Sequence, residues 1–392
     1  MTEFVRKPSG LEAFFIDLDA CGCNMTFHYF LKLDREPDLD QLNDALRQAL
    51  ETHSGINLKY RKNRWYKADY TPRCIEIPMD SEDVYSCSVS RLDYRRNTVD
   101  LNVLHHEQKD LWYLCFDFFH GAVDGRSGLQ FIYDFFHILK GDYDAQNSFH
   151  LTDMDIIGEK DAPRQHCKKT RIPLFPRCNP KNWLPRKNGE HKTIVMTTNA
   201  CVKASAAKLA SAVAQCFTSR SAKMIIPVDI RRYAKKTGNF LFGNLIAPIF
   251  VDANTIRKID DVRTEIRDFV KSKPLLTAII SKLNIYSKIP HWLRKLVIGL
   301  LVPLVMRSRR FICCALVSPI GTIDSKQIEN TSFQVEDIAV TFVSFPFTAF
   351  TVTSVQFNGH TNTTVSWHTG RVPTHTVSNL IENIDHNISQ NE

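Results

Sequence analysis

Hydrophobic positions in the first part of the chain alternate between strand-like and helix-like spacing. Leucines at three- and four-residue intervals predict a helix over residues 37–52. The run Leu111–Phe119 is apolar at every position except Asp117, which indicates a central strand buried on both faces. An apolar helical stripe follows and stops at Gly141, a residue type that commonly ends helices. Other strands are expected at residues 24–33, 56–59, 74–77 and 98–105.

The second half of the chain shows the same mixture of elements. An alanine-rich helix is predicted over residues 203–217, and Asn358-Gly359 is a strong signal for a tight hairpin. Strands are also expected at residues 193–198, 223–230, 245–251, 339–343, 348–357 and 363–368, and helices at 260–271 and 374–386. Between the halves the periodicity disappears and five prolines occur. We predict a mixed α/β (α+β) protein with an N-terminal domain at 1–158, a basic proline-rich linker at 159–192 and a C-terminal domain at 193–392.

Composition narrows the classes of partner. Fifty Lys and Arg against 42 Asp and Glu leave a net charge of +8, and a basic surface favours anionic ligands. The sequence has no glycine-rich phosphate loop and no zinc-finger spacing, so nucleic acid is not an expected partner. His105-His106 lacks a third ligand at a useful spacing, so no metal site is expected. Eleven cysteines, an odd number, and the lack of an apolar N-terminal run favour a reduced, cytoplasmic protein.

Candidate chemistry lies directly after the buried strand. The segment there reads Phe119-His120-Gly121-Ala122-Val123-Asp124-Gly125. A histidine titrates near neutral pH and can take the proton of a hydroxyl, amine or thiol that attacks a carbonyl group. Asp124 is expected to hold the loop, and Gly125 to allow a positive φ before the next helix. A helix-capping aspartate beside a core histidine explains the same spacing, so this segment needs support from elsewhere in the chain.

The segment resembles the H-H-x-x-x-D-G signature of the chloramphenicol-acetyltransferase-like and condensation-domain superfamily. His120, Asp124 and Gly125 match its second histidine, aspartate and glycine, while Phe119 stands in place of the first histidine. In that superfamily the second histidine is the catalytic one, so the departure leaves the base in place. It removes a supporting contact.

Later motifs extend the resemblance over nearly the whole chain. Residues 227–231, Pro-Val-Asp-Ile-Arg, are similar to the superfamily's P-V-x-x-R strand end. Gly238-Asn239 and Gly243-Asn244 resemble the Gly-Asn pairs that follow it. Residues 318–321, Ser-Pro-Ile-Gly, stand where alcohol acetyltransferase-like members read S-N-L-G, and those members are the most similar in pattern.

The resemblance implies two similar α/β domains arranged as a pseudo-dimer, with a substrate channel between them. By this resemblance His120 is the general base, and Asp124 is structural and paired with Arg231. Gly125 belongs to the same site. The side chains expected along the channel are Phe119, Asn239, Asn244 and Ser318.

The reaction implied is transfer of an acyl group from a thioester to a small hydroxyl or amine acceptor. Acyl-CoA, or a phosphopantetheine thioester, is the expected co-substrate, and the protein is expected to need no bound cofactor, no metal and no covalent enzyme intermediate. One alternative is a condensation-like enzyme of natural-product biosynthesis that takes its acyl or aminoacyl donor from a carrier protein. The other is a catalytically silent binding protein, which Phe119 and Pro319-Ile320 favour because they depart from the motifs. A monomer is expected.

Residues 291–310 contain the longest apolar stretch of the chain. The apolar stretch 296–306 has 11 residues and contains Pro303, which is too short to span a bilayer. Its flanks are basic. Contact with a membrane surface, a buried helix with solvated basic ends, and basic ends that meet the phosphates of CoA all remain open.

Overall fold

The structure is a computed structural model that describes residues 3–53, 55–79, 84–85, 91–143, 149–157, 191–198, 205–217, 222–234, 240–253, 258–307, 311–342 and 345–389. The helices in these ranges are α1 (Gly10–Ala20), α2 (Leu39–Thr52), α3 (Gly125–Lys140), α4 (Asp153–Ile157), α5 (Ala206–Gln215), α6 (Ile259–Lys271), α7 (Lys273–Lys288), α8 (His291–Arg307) and α9 (Thr374–Ser389). The strands are β1 (Phe4–Arg6), β2 (Thr26–Leu33), β3 (Leu58–Arg61), β4 (Arg64–Lys67), β5 (Glu76–Pro78), β6 (Val99–His106), β7 (Leu111–Phe119), β8 (Phe149–His150), β9 (His191–Thr198), β10 (Lys223–Asp229), β11 (Leu241–Phe242), β12 (Ile246–Asp252), β13 (Cys313–Thr322), β14 (Val335–Phe342), β15 (Thr348–Phe357) and β16 (His360–His368).

Two mixed sheets carry the architecture. The first has the strand order β14-β2-β7-β6-β5 and the second the order β12-β10-β13-β15-β16-β9. In the first sheet β7 lies between β2 and β6, antiparallel to both, which agrees with its apolar sequence. In the second sheet β13 runs parallel to β15. Helices α2 and α3 pack together, as do α5 and α9, and the mixed α/β architecture is as expected.

Strands from the two halves of the chain pair with each other at two places. Strand β14 belongs to the second half of the chain but pairs with β2 along its whole length, so it forms an edge of the first sheet. Strand β8 from the first half pairs in parallel with β11 from the second. The first sheet is therefore built from both expected domains. Residues 158–190 lie outside the described ranges, and the proposed domain boundaries stay a prediction.

Local sequence signals account for several element ends. Asp124 caps α3 by accepting a hydrogen bond from the backbone N–H of Ser127, and Gly141 ends that helix at a φ of 76°. Asn358 and Gly359 have φ values of 46° and 83°, the backbone of a type I′ turn, and they join β15 to β16. The expected central strand, the helix after it and the hairpin are thus confirmed.

Helix α1 was not expected from the sequence. Its apolar side chains run together instead of recurring at helical spacing, because the helix is buried on almost every side. A capping box formed by Ser9 and Glu12 starts it, and it packs against α7 and α8. Within the described part of the chain no single helix is long and apolar enough to cross a membrane; only the pair α7 and α8, bent by 109°, reaches that length and composition together.

Candidate active site

His120 lies at the end of β7, where it contacts residues from both halves of the chain. It follows the last residue of β7, and its backbone N–H donates to the carbonyl of Met25 over 2.8 Å. Its own carbonyl accepts a hydrogen bond from Nδ2 of Asn244 over 2.6 Å. Because Met25 belongs to the first half of the chain and Asn244 to the second, both halves fix the backbone from which the imidazole projects.

Three phenylalanine rings surround the imidazole of His120. Phe15 from α1 stacks on it with ring centroids 4.7 Å apart, and Phe27 and Phe342 present their rings at an angle, at 5.3 and 5.1 Å. Burial among these rings lowers the pKa of His120 below its ordinary value, while the negative charge of Asp124 opposes the shift. The neutral imidazole is therefore favoured near pH 7, although part of the residue stays exposed.

One hydrogen bond selects the tautomer of this imidazole. Nδ1 of His120 lies 3.1 Å from the carbonyl oxygen of Val123. A carbonyl oxygen can only accept, so Nδ1 carries the proton and Nε2 presents a lone pair. This arrangement suits a group that must accept a proton through Nε2.

The carboxylate of Asp124 is saturated with hydrogen bonds. Its Oδ1 accepts from the backbone N–H of Ser127 and from Nη2 of Arg231, at 2.8 and 3.0 Å. Its Oδ2 accepts from Nη1 of Arg231 and the backbone N–H of Leu245, at 2.9 and 2.8 Å. The residue is 1% exposed. A carboxylate engaged in this way has a structural part and is not available as a base.

Arg231 extends the same network across the lobes. Its Nε donates to the carbonyl of Leu241 over 2.8 Å, and Nη2 donates to Oγ of Ser127 over 2.7 Å. Nη1 also reaches Asp229 at 3.1 Å. The pairing of Asp124 with Arg231 expected from the sequence is present, and we call these two residues the clamp.

Ser127 is a member of this network that sequence reasoning missed. Its hydroxyl donates to the carbonyl of Gly243 over 2.9 Å and accepts from the N–H of the same glycine over 3.0 Å. The side chain is fully buried. A small polar residue on the first turn after a capping aspartate was the available signal.

The glycines of the site differ from expectation. Gly125 does not have a positive φ; it is the first residue of α3, and a Cβ there would lie 3.0 Å from Cδ1 of Ile320. A side chain at this position would therefore crowd the end of the Ile320 side chain on β13. The positive φ occurs instead at Gly243, at 141°, where a Cβ would also come within 3.1 Å of the carbonyl oxygen of Leu151.

The residues expected along a channel differ in how deeply they are buried. Phe119 is fully buried, with its ring stacked on Tyr94 at 4.5 Å, so it belongs to the core and is not an open channel wall. Asn244 is also buried; it orients the His120 carbonyl, and its Oδ1 has no partner among the described residues. Ser318 is half-buried on β13. Asn239 lies outside the described residues, and the channel itself stays a prediction.

Two places in the described structure bring together side chains of types that bind metals. His105 stacks on Trp112 at 3.5 Å. His28, Cys115 and Asp117 place their ligand atoms within 4.8 Å of one another, all buried. Nδ1 of His28 and Sγ of Cys115 are already bonded to one carboxylate oxygen of Asp117, at 2.6 and 3.2 Å, and burial raises the pKa of the Cys115 thiol. The three side chains thus form a buried polar network, to which Nδ2 of Asn102 adds a 3.3 Å hydrogen bond to the other carboxylate oxygen of Asp117.

Comparison with known proteins gives a result for the fold only. No family model and no curated protein matches the sequence. The epimerization domain from the third module of tyrocidine synthetase B is 12% identical, with a TM-score of 0.63 over 99% of this chain and 98% of that one. The condensation domain of the monacolin K polyketide synthase MokA is 10% identical, with a TM-score of 0.62 over 99% and 98%.

A free acetyltransferase is among the similar structures as well. The trichothecene 15-O-acetyltransferase of Fusarium sporotrichioides is 11% identical, with a TM-score of 0.64 over 98% of this chain and 94% of that one. Such low identities with nearly complete coverage on both sides are evidence about architecture. The chain therefore has the two-lobed α/β fold of condensation and acetyltransferase domains, the chloramphenicol-acetyltransferase-like fold that its motifs implied.

Proposed function

We propose that the protein is an acyltransferase that moves an acyl group from a thioester to a hydroxyl or amine, with His120 as general base. The observation that carries the proposal is the state of its imidazole. The proton is on Nδ1, the pKa is lowered by burial, and Nε2 has no protein partner among the described residues.

The proposed reaction has two steps. Nε2 of His120 takes the proton of the acceptor as its oxygen or nitrogen attacks the thioester carbonyl, which gives a tetrahedral oxyanion. The oxyanion then collapses, the carbon–sulfur bond breaks, and the imidazolium returns its proton to the leaving thiolate. The products are the acylated acceptor and a free thiol. Neither step needs a covalent bond to the enzyme.

The clamp of Asp124 and Arg231 is assigned a positioning part. The four hydrogen bonds to the carboxylate fix the start of α3 and the loop that follows His120. Asn244 holds the carbonyl of His120 from the other side. Ser318 on β13 remains our candidate for a side chain that contacts substrate.

Acyl-CoA is the donor that we propose first. Two of the similar structures are domains of a peptide synthetase and a polyketide synthase, which supports a carrier-bound donor as the second candidate. The third candidate is a catalytically silent binding protein, which would transfer no acyl group. The departure at Phe119 carries less weight for it than the sequence suggested, because that ring packs against Tyr94 and leaves the contacts of His120 intact.

The test is release of free thiol from acetyl-, octanoyl- and palmitoyl-CoA in the presence of a panel of alcohols and amines. Acceptor-dependent release that is lost in a folded His120→Ala variant would support the proposal and give the acyl length. Release only from a loaded carrier protein would select the second candidate. No release from any donor would select the silent protein, and release that survives His120→Ala would contradict the assignment of the base.

A further inference from the structure

Helix α8 exposes apolar side chains on the side where a surface helix is normally polar. Trp292, Leu300 and Leu304 are 69%, 62% and 67% exposed, and Leu296 and Val297 are about half exposed. The opposite side of the helix is buried against the protein and is apolar apart from Arg294, whose charge is paired with Asp17. A helix that is hydrophobic all round is normally covered on every side. Nothing in the described part of the chain covers this exposed stripe of Trp292, Leu296, Leu300 and Leu304.

The charges around the stripe have one sign. From residue 269 to residue 323 the sequence contains no aspartate or glutamate. Exposed lysines and an arginine lie beside the stripe at both of its ends, at Lys288, Lys295 and Arg307. A stripe of four large apolar side chains, each at least half exposed, marks a docking site. Its basic border complements an anionic partner.

A basic cavity adjoins the stripe. It has a volume of about 490 Å³ and lies between the first turn of α8 and the hairpin of β3 and β4. Its basic lining residues are Lys59, Arg61, Lys62, Arg95, Arg96 and Lys295. The one carboxylate in the lining, Asp69, is paired with Lys59. Lys295 lines the cavity and directly precedes Leu296 of the stripe, so the cavity borders the stripe.

We propose that this face docks on an anionic phospholipid surface, with the stripe in the interface and a headgroup phosphate in the cavity. The stripe is identified by the exposure of its apolar side chains and the cavity by the charge of its lining, and these two observations do not depend on each other. A tryptophan at the border of such a surface suits the boundary between headgroups and acyl chains. The opposite side of α8 stays packed on the protein through Ile298, Val302 and Val305, so the helix lies on the membrane and does not cross it.

The experiment is flotation of the full chain with vesicles of phosphatidylcholine alone or mixed with an equal amount of phosphatidylglycerol. We expect binding only to the anionic vesicles, weakened by salt. Leu300→Gln with Leu304→Gln should lower the affinity about tenfold or more. Arg61→Gln with Arg96→Gln should lower it roughly 30-fold, from the usual contribution of two cations at an anionic surface.

Matched controls separate docking from general effects. Ile75→Gln with Ile194→Gln removes two exposed apolar residues elsewhere, and Arg47→Gln with Arg263→Gln removes two exposed cations on α2 and α6. Both controls should bind like the wild type. Brominated lipid should quench the fluorescence of Trp292, and Trp292→Phe should remove that component while vesicles are still bound.

Several results would overturn the proposal. The first is failure of the wild type to bind anionic vesicles at low salt. The second is an equal loss of vesicle affinity in the variants and in the controls. The third is displacement of the protein from vesicles by excess CoA, which would assign the cavity to the phosphates of that donor. Self-association of the wild type that Leu300→Gln with Leu304→Gln abolishes would show that a second copy covers the stripe. The assay measures binding without turnover, so its outcome is independent of the proposed reaction.

Discussion

The replacement Asp124→Asn has a cost that can be worked from the contacts of the clamp. Asparagine keeps the size of the side chain. Each carboxylate oxygen of Asp124 accepts two hydrogen bonds, and in asparagine an NH₂ group replaces one of these oxygens, so that a donor faces other donors. Asp124 is 1% and the Arg231 side chain 10% exposed, so water cannot compensate. Removing one member of a buried ion pair costs about 3–5 kcal/mol. The lower end applies because Asp229 still accepts from Arg231.

The expected loss is measurable as a shift in Tm. For a chain of 392 residues, about 3 kcal/mol corresponds to a fall of about 4 °C, since the entropy of unfolding is about 2.1 cal/mol/K per residue. Differential scanning calorimetry would record it. Asp229→Asn is the matched control. Asp229 accepts from Nη1 and from the backbone N–H of Arg231, at 3.1 and 2.9 Å, and lies 3.4 Å from Nε of Arg126. It is one-third exposed, and the asparagine Oδ1 can still accept both bonds from Arg231, so the substitution should cost at most about 1 kcal/mol.

A double-mutant cycle gives the second arm of this test. Asp124→Asn and Arg231→Gln should cost less together than the sum of their separate losses, because each alone leaves a buried partner without its counterpart. Thiol release should fall in both single variants through misplacement of the loop after His120. An unchanged Tm in Asp124→Asn combined with complete loss of turnover would refute the reasoning, because it would place Asp124 in the chemistry.

Three further predictions rest on separate features. Gly243→Ala should lower Tm by a degree or more and reduce turnover, because the positive φ and the nearby carbonyl of Leu151 oppose a Cβ there; calorimetry and thiol release measure both. The value of kcat/KM should fall as pH drops through the lowered pKa of His120, so the acidic limb of the pH–rate profile should lie below about pH 6.5. An acidic limb above that pH would contradict a pKa that burial lowers. Asp153 is buried with its pKa raised from 3.8 to about 7, so the folded state loses stability as pH rises between those values. Asp153→Asn should therefore gain roughly 2–3 kcal/mol on the wild type between pH 5 and pH 8 in urea titrations; an equal pH dependence of the two would be the contrary result.

The elements that the sequence predicted correctly are those with local signals. Strand β7 is apolar at nearly every position, α3 has a capping aspartate and a terminal Gly141, and Asn358-Gly359 requires a hairpin. Each signal is complete within about 20 residues. The resemblance added the pairing of Asp124 with Arg231, which a single sequence without it could not supply.

The contacts that escaped prediction join parts of the chain that are distant in sequence. Strand β14 joins β2, whose sequence lies about 300 residues earlier, and neither strand carries a mark of that partner. The rings around His120 come from α1, β2 and β14, so the cage exists only after the sheet has formed. Gly125 shows the same limit, because the side chain that a Cβ there would crowd, Ile320 on β13, lies almost 200 residues away in sequence.

The central claim is that His120 accepts the proton during transfer of an acyl group. The most direct measurement is mass spectrometry of the acylated acceptor, together with free thiol, for the wild type and a His120→Ala variant of equal Tm. We predict one acylated acceptor per thiol for the wild type, and a rate about 10²–10⁴-fold lower in the variant, the usual contribution of a general base. Formation of the acylated acceptor by His120→Ala at the rate of the wild type would contradict the claim.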